Sequence, residues 1–486
     1  MSGLTALGVG SGLPLEDLVK QLVASERDPK VKRLDSQKST IEVSLSGIGK
    51  IRSALSKFQS SLDTLKSANN LLTRKATVTH PDNLKPFDVT TTSSATTGSY
   101  SIEVKALAKG TRAETANGSF ANSDSVVSST AGQLTFSADG KSFNVNVAAG
   151  MTLSQLREAI NTASDNIGVS ANIINTGDAA VGSKLVITSS ITGDPATKQL
   201  SITNNNAELD KVSTVATGGG TTLSVTSSQR AHVTIDNVDA YADTNKMENV
   251  IQNTTLNLKE LTNTKAATLD IAVDKDTVKG HIEAFVKNYN ELVTTINDLT
   301  KPGTLSTDGK SLTGGGALNG NSMVRGLMGQ LNSQLAGTVS GADASLNSLF
   351  ALGISMTADG KMEISSTNSY GGKTGSARLE DALTGSFDKI SQLFSGDNGL
   401  AAQLESKVKS YTEAGGILAS QEKVFNSRLT LVNTERANLD KYMESYEKTL
   451  RERYAALDKV LAQMNSTSSY LSSQLASLPG FSTQRN

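Results

Sequence analysis

The sequence predicts an α+β protein of several domains, with coiled-coil helical legs formed by both chain ends and β-rich head domains inserted between them. Apolar residues recur at helical spacing near both termini, and alternating, hydroxyl-rich segments fill the middle. The 486 residues also exceed the size at which a single core keeps growing. The middle of the chain is therefore expected to be an insertion in a helical frame.

The stretch from about Ser420 to Leu478 is predicted to be one long helix. Its apolar side chains follow one another at steps of three and four residues, which places them on a single stripe. The step from Leu450 to Tyr454 is a stutter, which locally unwinds a supercoil without ending the helix. A stripe of this length needs a partner. The predicted seam residues of this helix are Leu439, Met443, Tyr446, Leu450, Tyr454, Leu457, Leu461 and Met464.

The first dozen residues carry no charge and no clear period, so they are expected to become ordered only when something packs against them. A first helix is predicted to start between Ser11 and Pro14. Asp28 and Pro29 are expected to interrupt it, because the residue before a proline disfavours the helical conformation. The apolar face of this helix consists of Leu15, Leu18, Val19, Leu22 and Val23.

A second helix is predicted beyond Pro29, with apolar residues at every seventh position. At 1.5 Å per residue, residues 32–66 would span about 50 Å and residues 420–464 about 65 Å, so the two can lie side by side. The ends of the chain are therefore expected to meet. The predicted seam residues of the second helix are Leu34, Ile41, Ile48, Leu55 and Leu62.

Helical periods disappear at about Thr77 and return after Thr277, and the region between them alternates as half-buried strands do. One helix is predicted within this region, from Thr152 to Thr162, with Thr152 as its cap. Residues 218–220, all glycine, are interpreted as a link between two β modules. The predicted strands are 87–90, 100–104 (joined to the first by a Ser/Thr/Gly turn), 133–136, 142–147, 183–189, 232–235 and 268–273, and later helices are predicted over 282–296 and 323–335.

Four domains follow from these boundaries. The predicted domains are a terminal helical domain of residues 1–42 and 440–486, a helical, coiled-coil leg domain of residues 43–75 and 275–439, a β-rich head domain of residues 76–110 and 225–274, and an outer β-rich domain of residues 111–224.

The composition argues against several classes of function. A net charge of −1 leaves no basic surplus to neutralise phosphates, so nucleic-acid binding is not expected. The chain has no cysteine, and therefore no disulfide, thiol catalyst or cysteine-based zinc site. No segment approaches the roughly 20 apolar residues of a membrane span, so membrane insertion is not expected. Residues 1–4 lack the basic region of a cleaved secretory signal, so any export would use another route.

No catalytic constellation, cofactor site or metal site is predicted. Residues 139–142 and 308–311 both read Asp-Gly-Lys-Ser, but Thr135 and Thr304 stand where a phosphate-binding loop requires its first glycine. These segments and residues 359–360 are interpreted as Asp-Gly hairpin turns. The three histidines are far apart in the sequence and form no catalytic triad pattern.

The C-terminal tail is the most specific feature of the sequence. Between Lys459 and Arg485 no side chain is charged, yet apolar residues keep helical spacing among Ser, Thr, Asn and Gln. No charges keep copies of this helix apart, so packing against its own kind is favoured. Docking on the face formed by residues 15–23 of the same chain is the alternative. Membrane binding is disfavoured because the polar face has no Lys or Arg.

Short motifs from one end of the chain to the other point to a known family. They are residues 8–13 (GVGSGL), 18–23 (LVKQLV), 98–104 (GSYSIEV), 285–292 (FVKNYNEL), 463–465 (QMN) and 469–471 (SYL). Residues 143–161 are similar to a repeat of flagellin and hook proteins. With its helical ends and β-rich middle, the chain resembles the filament-capping, second hook-associated protein family of the bacterial flagellum.

The resemblance implies a secreted, extracellular, structural protein at the tip of the flagellar filament, and no enzyme. A ring of identical subunits, most simply a pentamer with other ring sizes left open, would prevent leakage of flagellin and promote its folding and polymerisation. Further implied partners are the hook-filament junction proteins, a cytoplasmic export chaperone and the flagellar type III export apparatus. The terminal helices that would bind filament or chaperone contain Leu15, Leu18, Leu22, Tyr470, Leu471, Leu475 and Leu478.

A hypothesis of a different class is an adhesin that binds host mucin or glycans through the β-rich head, with its important residues between about 110 and 228. This function could coexist with capping.

Overall fold

The computed structural model of the chain describes residues 7–9, 11–306, 312–368 and 372–476. It divides into two compact units. Unit 1 comprises Met1–Ala68 and Lys279–Asn486, and unit 2 comprises Asn69–Val278. Unit 1 is thus built from both ends of the chain and unit 2 is inserted between them, which confirms the predicted fold class.

Helices dominate unit 1 and strands dominate unit 2. Within the described ranges the helices are α1 (Leu15–Lys66), α2 (Ala68–Leu71), α3 (Leu153–Thr162), α4 (Pro195–Lys198), α5 (Lys275–Thr300), α6 (Ser322–Leu335), α7 (Leu349–Leu352), α8 (Gly375–Gly385), α9 (Phe387–Phe394), α10 (Leu400–Thr412) and α11 (Ile417–Ala476), with a 3-10 helix at Ala207–Val212. The strands are β1 (Arg74–Thr79), β2 (Phe87–Thr91), β3 (Gly98–Ala106), β4 (Gly110–Glu114), β5 (Gly132–Ala138), β6 (Lys141–Val147), β7 (Val169–Asn175), β8 (Ser183–Thr192), β9 (Ser201–Asn204), β10 (Ser224–Thr226), β11 (Ala231–Ile235), β12 (Val238–Ala242), β13 (Lys246–Ile251), β14 (Thr254–Leu258), β15 (Ala267–Val273), β16 (Thr304–Leu305), β17 (Leu312–Thr313), β18 (Ser355–Met356) and β19 (Met362–Glu363).

The two long terminal helices, α1 and α11, pack against each other and form what we call the stalk. Within the described residues, four ion pairs connect them along their length. The later a paired residue lies in α1, the earlier its partner lies in α11. The two helices are therefore antiparallel. The pairs are Glu16–Arg451, Arg27–Asp440, Asp35–Arg436 and Arg52–Glu422.

Helix α1 continues through Pro29, so the predicted interruption at this position is wrong. Proline lacks an N–H group and removes one helical hydrogen bond. Contacts with α11 hold the helix on both sides of it. Arg27 Nη2 lies 3.2 Å from Asp440 Oδ1, and Lys30 Nζ lies 5.3 Å from the centre of the Tyr442 ring. Packing against α11 therefore outweighs the local preference.

The predicted alignment of the stalk helices also needs correction. Residues 32–66 were expected to accompany residues 420–464 along most of their length. Residues 16–35 instead lie opposite the part of α11 from Arg436 to Arg451. The first and second predicted helices are one element, so the partner of α11 begins earlier in the chain than the sequence pattern indicated.

The second half of α1 enters a helical core of unit 1. The ring centre of Phe58 lies 5.6 Å from those of Phe285 and Tyr289 on α5, and Phe285 lies 5.9 Å from Phe394 on α9. The Tyr289 hydroxyl donates to Asn332 Oδ1 at 2.8 Å, and burial raises the pKa of Tyr289 to about 12. This cluster anchors the stalk in unit 1.

Unit 2 contains two hydrophobic cores. The first combines buried residues from a five-stranded sheet, in the order β1-β15-β3-β11-β12, and from a three-stranded sheet, β13-β14-β2. Strands β2 and β3 were predicted as consecutive strands joined by a turn, but they lie in different sheets. Strand β2 pairs with β14, and β3 pairs with β15 and β11, all of them distant in the sequence.

The second core comes from a four-stranded sheet, β10-β4-β8-β7, a three-stranded sheet, β6-β5-β9, and helix α3. Thr152 caps α3 as predicted. Its hydroxyl accepts the Gln155 N–H, while the Gln155 side chain accepts the Thr152 N–H. The predicted turn at residues 139–140 joins β5 to β6 with positive φ angles of 54° and 69°. The equivalent turn predicted at residues 308–311 lies outside the described residues.

Residues 218–220 do not behave as a free link between the cores. The Asp210 carboxylate accepts backbone N–H groups from Thr217, Gly218 and Gly220 at 2.7 to 2.9 Å. These donors, Thr217 first, lower the pKa of Asp210 to about 2 against the opposing effect of burial. A Cβ atom on Gly218 would lie 2.2 Å from the Ala207 Cβ, so this close approach requires glycine. The segment is thus held against the 3-10 helix at Ala207–Val212.

Candidate functional site

The predicted seam residues of the stalk lie at different depths. Leu34, Ile48, Leu55, Leu62, Met443 and Leu450 are buried. Ile41, Leu439, Tyr446, Tyr454 and Leu461 are partly buried. Leu457 and Met464 are 44% and 63% exposed, so their predicted burial against the partner helix is wrong.

The reason lies in where α1 begins. Its first turn starts at Leu15, and Glu16 already pairs with Arg451 of α11. Leu457 and Met464 come later in α11 and therefore lie beyond the start of α1. Periodicity within one helix cannot show where its partner ends.

Arg451 fixes the position of α11 against the first turn of α1. Its two terminal nitrogens donate to both carboxylate oxygens of Glu16 at 2.7 Å, and its Nε donates to Glu447 at 2.9 Å. This bidentate geometry is the most directional that an ion pair offers. The hydrogen bond from Arg451 lowers the pKa of Glu16. The sequence showed the Glu447–Arg451 spacing but not the partner at the other end of the chain.

Asp458 is a binding residue that the sequence pattern did not reveal. Its carboxylate accepts the backbone N–H of Ser11 at 2.9 Å and of Gly8 at 3.2 Å, as well as the Ser11 hydroxyl. The Gly12 N–H donates to the Gly8 carbonyl at 2.8 Å, which closes a turn. Gly8 has a φ of +94°, and a Cβ there would lie 2.1 Å from the Leu13 oxygen. Part of the glycine-rich N-terminal motif is thus a turn bound to α11.

A signal for this role was available in the sequence. Asp458 is the last acidic side chain of the sequence, and only Lys459 separates it from the uncharged tail. The expectation that the first residues order only against a partner fits the described ones, since α11 supplies the acceptor for Gly8 and Ser11.

The final turns of α11 expose the apolar residues that the sequence singled out. Tyr470, Leu471 and Leu475 are each more than half exposed, and Leu478 lies outside the described residues. On α1, Leu15 is buried, Leu22 is partly buried and Leu18 is 40% exposed. The described part of the tail, which ends at residue 476, does not occupy the face formed by residues 15–23, because Arg451 pairs with Glu16 there.

In the part of the chain that the structure describes, the titratable side chains form no cluster that could bind a metal ion. The described residues hold no group of three or more His, Cys, Asp or Glu side chains arranged to bind a metal ion. His80 Nε2 lies 2.9 Å from the Lys265 carbonyl oxygen, and His232 Nε2 lies 2.6 Å from Asp239 Oδ1, in separate places in unit 2. None of the helices in the described ranges combines the length and apolarity needed to cross a lipid bilayer.

A paired helical stalk, an inserted β-rich unit and an exposed apolar helix end are features of a structural protein. The chain matches the family descriptions "Flagellar hook-associated protein 2 N-terminus" over residues 11–111 and "C-terminus" over residues 228–466. Residues 133–190 match the "Flagellin hook IN motif", which includes the repeat noted at residues 143–161.

Whole-chain relatives agree with these matches. The chain is 33% identical to flagellar hook-associated protein 2 of Aeromonas caviae, over 96% of this chain and 97% of that protein. It is 31% identical to the A-type protein of Pseudomonas aeruginosa, over 98% of both chains. The crystal structure of the flagellar cap protein FliD D1-D2-D3 domains from Escherichia coli is similar with a TM-score of 0.63 and 27% identity, covering 78% of this chain and 99% of that one.

The chain belongs to the flagellar hook-associated protein 2 family, the family of the flagellar filament cap. It is a structural protein and not an enzyme, and its place is extracellular, at the tip of the filament. Family membership also implies an oligomeric cap and an interaction with flagellin.

Proposed function

We propose that identical copies of this chain form a ring, a pentamer, on the filament tip and that the exposed end of α11 binds flagellin. The observation that carries the proposal is the set of exposed apolar side chains Val460, Met464, Tyr470, Leu471 and Leu475, which lie in the stretch without charged residues between Lys459 and Arg485. Burying the exposed half of each large apolar side chain would contribute about 1 kcal/mol. Several such side chains give a firm but reversible contact, which suits a cap that moves as subunits are added.

The same exposed helix end would aggregate before assembly. A cytoplasmic export chaperone is therefore proposed to cover residues 460–475. The chain is proposed to leave the cell through the flagellar type III export apparatus. A chain without cysteine suits export in an unfolded state. The turn at Asp458 would form only after both chain ends have emerged, because its donors and acceptor are some 450 residues apart. The hook-filament junction proteins are further proposed partners of the cap.

We infer that the chain is organised in the four domains predicted from the sequence. The two separate cores of unit 2 support a boundary between residues 76–110 with 225–274 and residues 111–224. The ladder of stalk ion pairs supports a terminal domain made from both chain ends.

The test replaces apolar residues of the tail in a strain that lacks its own cap protein. Leu471→Asp with Leu475→Asp is expected to release flagellin monomers into the medium and to shorten filaments. Ser469→Asp with Ser473→Asp adds the same charge to the opposite exposed face and is expected to leave filaments of normal length. Normal filaments from the leucine variant would refute the assignment of this surface. Images of the isolated cap along its axis would count the subunits directly.

Adhesion to mucin or glycans through residues 110–228 stays a prediction from the sequence. Binding of the full chain to immobilised mucin, abolished by removal of residues 111–224, would establish it.

A further inference from the structure

Helix α11 carries a second apolar row beside the one buried against α1. Ile417, Val424 and Leu431 are 38%, 45% and 59% exposed, and they are spaced by seven residues. Their neighbours Leu418 and Val432 are buried. We call these three exposed residues the outer ridge. A seven-residue period is the spacing with which one helix packs along another over several turns.

Helix α1 carries a matching face of small residues. Ser39, Ser46 and Ser53 are exposed and also seven residues apart, with the exposed Val43 between the first two. We call these four residues the serine face. Small side chains allow another helix to approach closely, and a hydroxyl can bond to its own helix, so little hydration is lost.

The outer ridge and the serine face lie at the same level of the stalk. Arg52 pairs with Glu422 and Asp35 pairs with Arg436, so residues 36–53 of α1 run beside residues 421–435 of α11. Two stalks placed side by side in the same direction would therefore bring the ridge of one copy to the level of the serine face of the next. The two helices in that contact would run antiparallel, as α1 and α11 do within one chain.

Charges at the border of the two surfaces are complementary. Arg428 and Glu435 border the outer ridge on α11. On α1, Glu42 lies at the level of Arg428 and Lys38 near the level of Glu435, as the two stalk ion pairs place them. A neighbouring copy would thus present Glu42 to Arg428 and Lys38 to Glu435. These opposite charges favour this alignment of the two helices over one shifted along the helix axis.

We propose that the outer ridge of one copy packs on the serine face of a second copy. A contact between two different surfaces of the same chain is heterologous, and it closes a ring when the rotation from one copy to the next is a whole fraction of a turn. The inference rests on the proposed ring and assigns the stalk surfaces that hold its neighbouring subunits together.

Disulfide cross-linking tests this contact in the full chain, which has no cysteine of its own. Leu431→Cys combined with Ser39→Cys is expected to give a ladder of cross-linked species that ends at the ring number. Each single variant alone should not cross-link, whereas a mixture of the two single variants should give dimers only. The control pair, Asn433→Cys with Ser39→Cys, moves one cysteine to another exposed face of α11 and should not cross-link.

Dissociation provides a second measurement that does not depend on cysteine geometry. Val424→Asp with Leu431→Asp is expected to weaken oligomer formation in sedimentation experiments at least about tenfold, since apolar burial is lost. Asn426→Asp with Asn433→Asp adds equal charge elsewhere on α11 and should change it little. Two results would overturn this contact without contradicting the proposed ring. One is an oligomer that persists in the Val424→Asp, Leu431→Asp variant, and the other is a cross-link between two copies of the single Leu431→Cys variant. A wild-type chain that stays monomeric would overturn the ring as well.

Discussion

Leu450 and Leu457 offer a direct test of where the stalk contact ends. Both are leucines on α11, seven residues apart, but Leu450 is 9% exposed and Leu457 is 44% exposed. Truncation of a buried leucine to alanine removes its transfer free energy and leaves a cavity. For Leu450→Ala we expect a loss of about 2 to 3 kcal/mol, at the lower end of the core range because only two helices enclose the side chain. For Leu457→Ala we expect less than about 1 kcal/mol.

The free energy of unfolding is measured by urea titration followed by far-ultraviolet circular dichroism, at concentrations where copies are dissociated. The two variants carry the same chemical change in the same helix, so helix propensity cancels between them. Equal losses from both substitutions would show that α11 is covered to the same depth at Leu457. The stalk contact would then extend beyond the first turn of α1, contrary to the reasoning from its ion pairs.

Three further predictions concern single groups. Asp458→Asn should speed hydrogen exchange at the Ser11 amide while α11 stays protected, because a neutral acceptor binds N–H groups more weakly than a carboxylate; unchanged exchange would contradict the turn. Asp210 has a pKa of about 2 in the folded chain against an ordinary 3.8, so its stabilisation is present above the ordinary value and is lost as the pH falls through about 2. The stability difference between wild type and Asp210→Asn should therefore shrink in thermal melts below about pH 4, and a constant difference would refute the assignment. Gly110→Ala should destabilise unit 2 in the same melts, since its Cβ would lie 1.8 Å from the Ser189 carbonyl oxygen, and a wild-type melt would be inconsistent with that approach.

Local patterns accounted for the elements whose physical determinants lie close together in the chain. The cap at Thr152, the turn at residues 139–140 and the helical periods of α1, α5 and α11 all depend on neighbours within a few residues. The return of helical periods at both ends, with strands between them, was enough to predict that the ends meet.

Local preference failed where distant packing competed with it. Pro29 was expected to end a helix, but contacts of Arg27 and Lys30 with α11 hold the chain helical there. Strands β2 and β3 follow one another in the sequence, yet their partners come from beyond residue 230. Many strands of unit 2 were not predicted individually, because short alternating segments become strands only when a partner edge is present.

The amino-acid sequence predicted the uncharged apolar tail, the heptad periods and the absence of catalytic motifs, because each depends on residue type and spacing alone. The antiparallel pairing of α1 with α11, the binding of Gly8 and Ser11 to Asp458, and the exposure of Leu457 came only from the folded chain. These features join residues that are hundreds of positions apart. Spacing within one segment defines which face of a helix is apolar, but the partner chosen by packing decides which part of that face is buried and which part remains free to assemble.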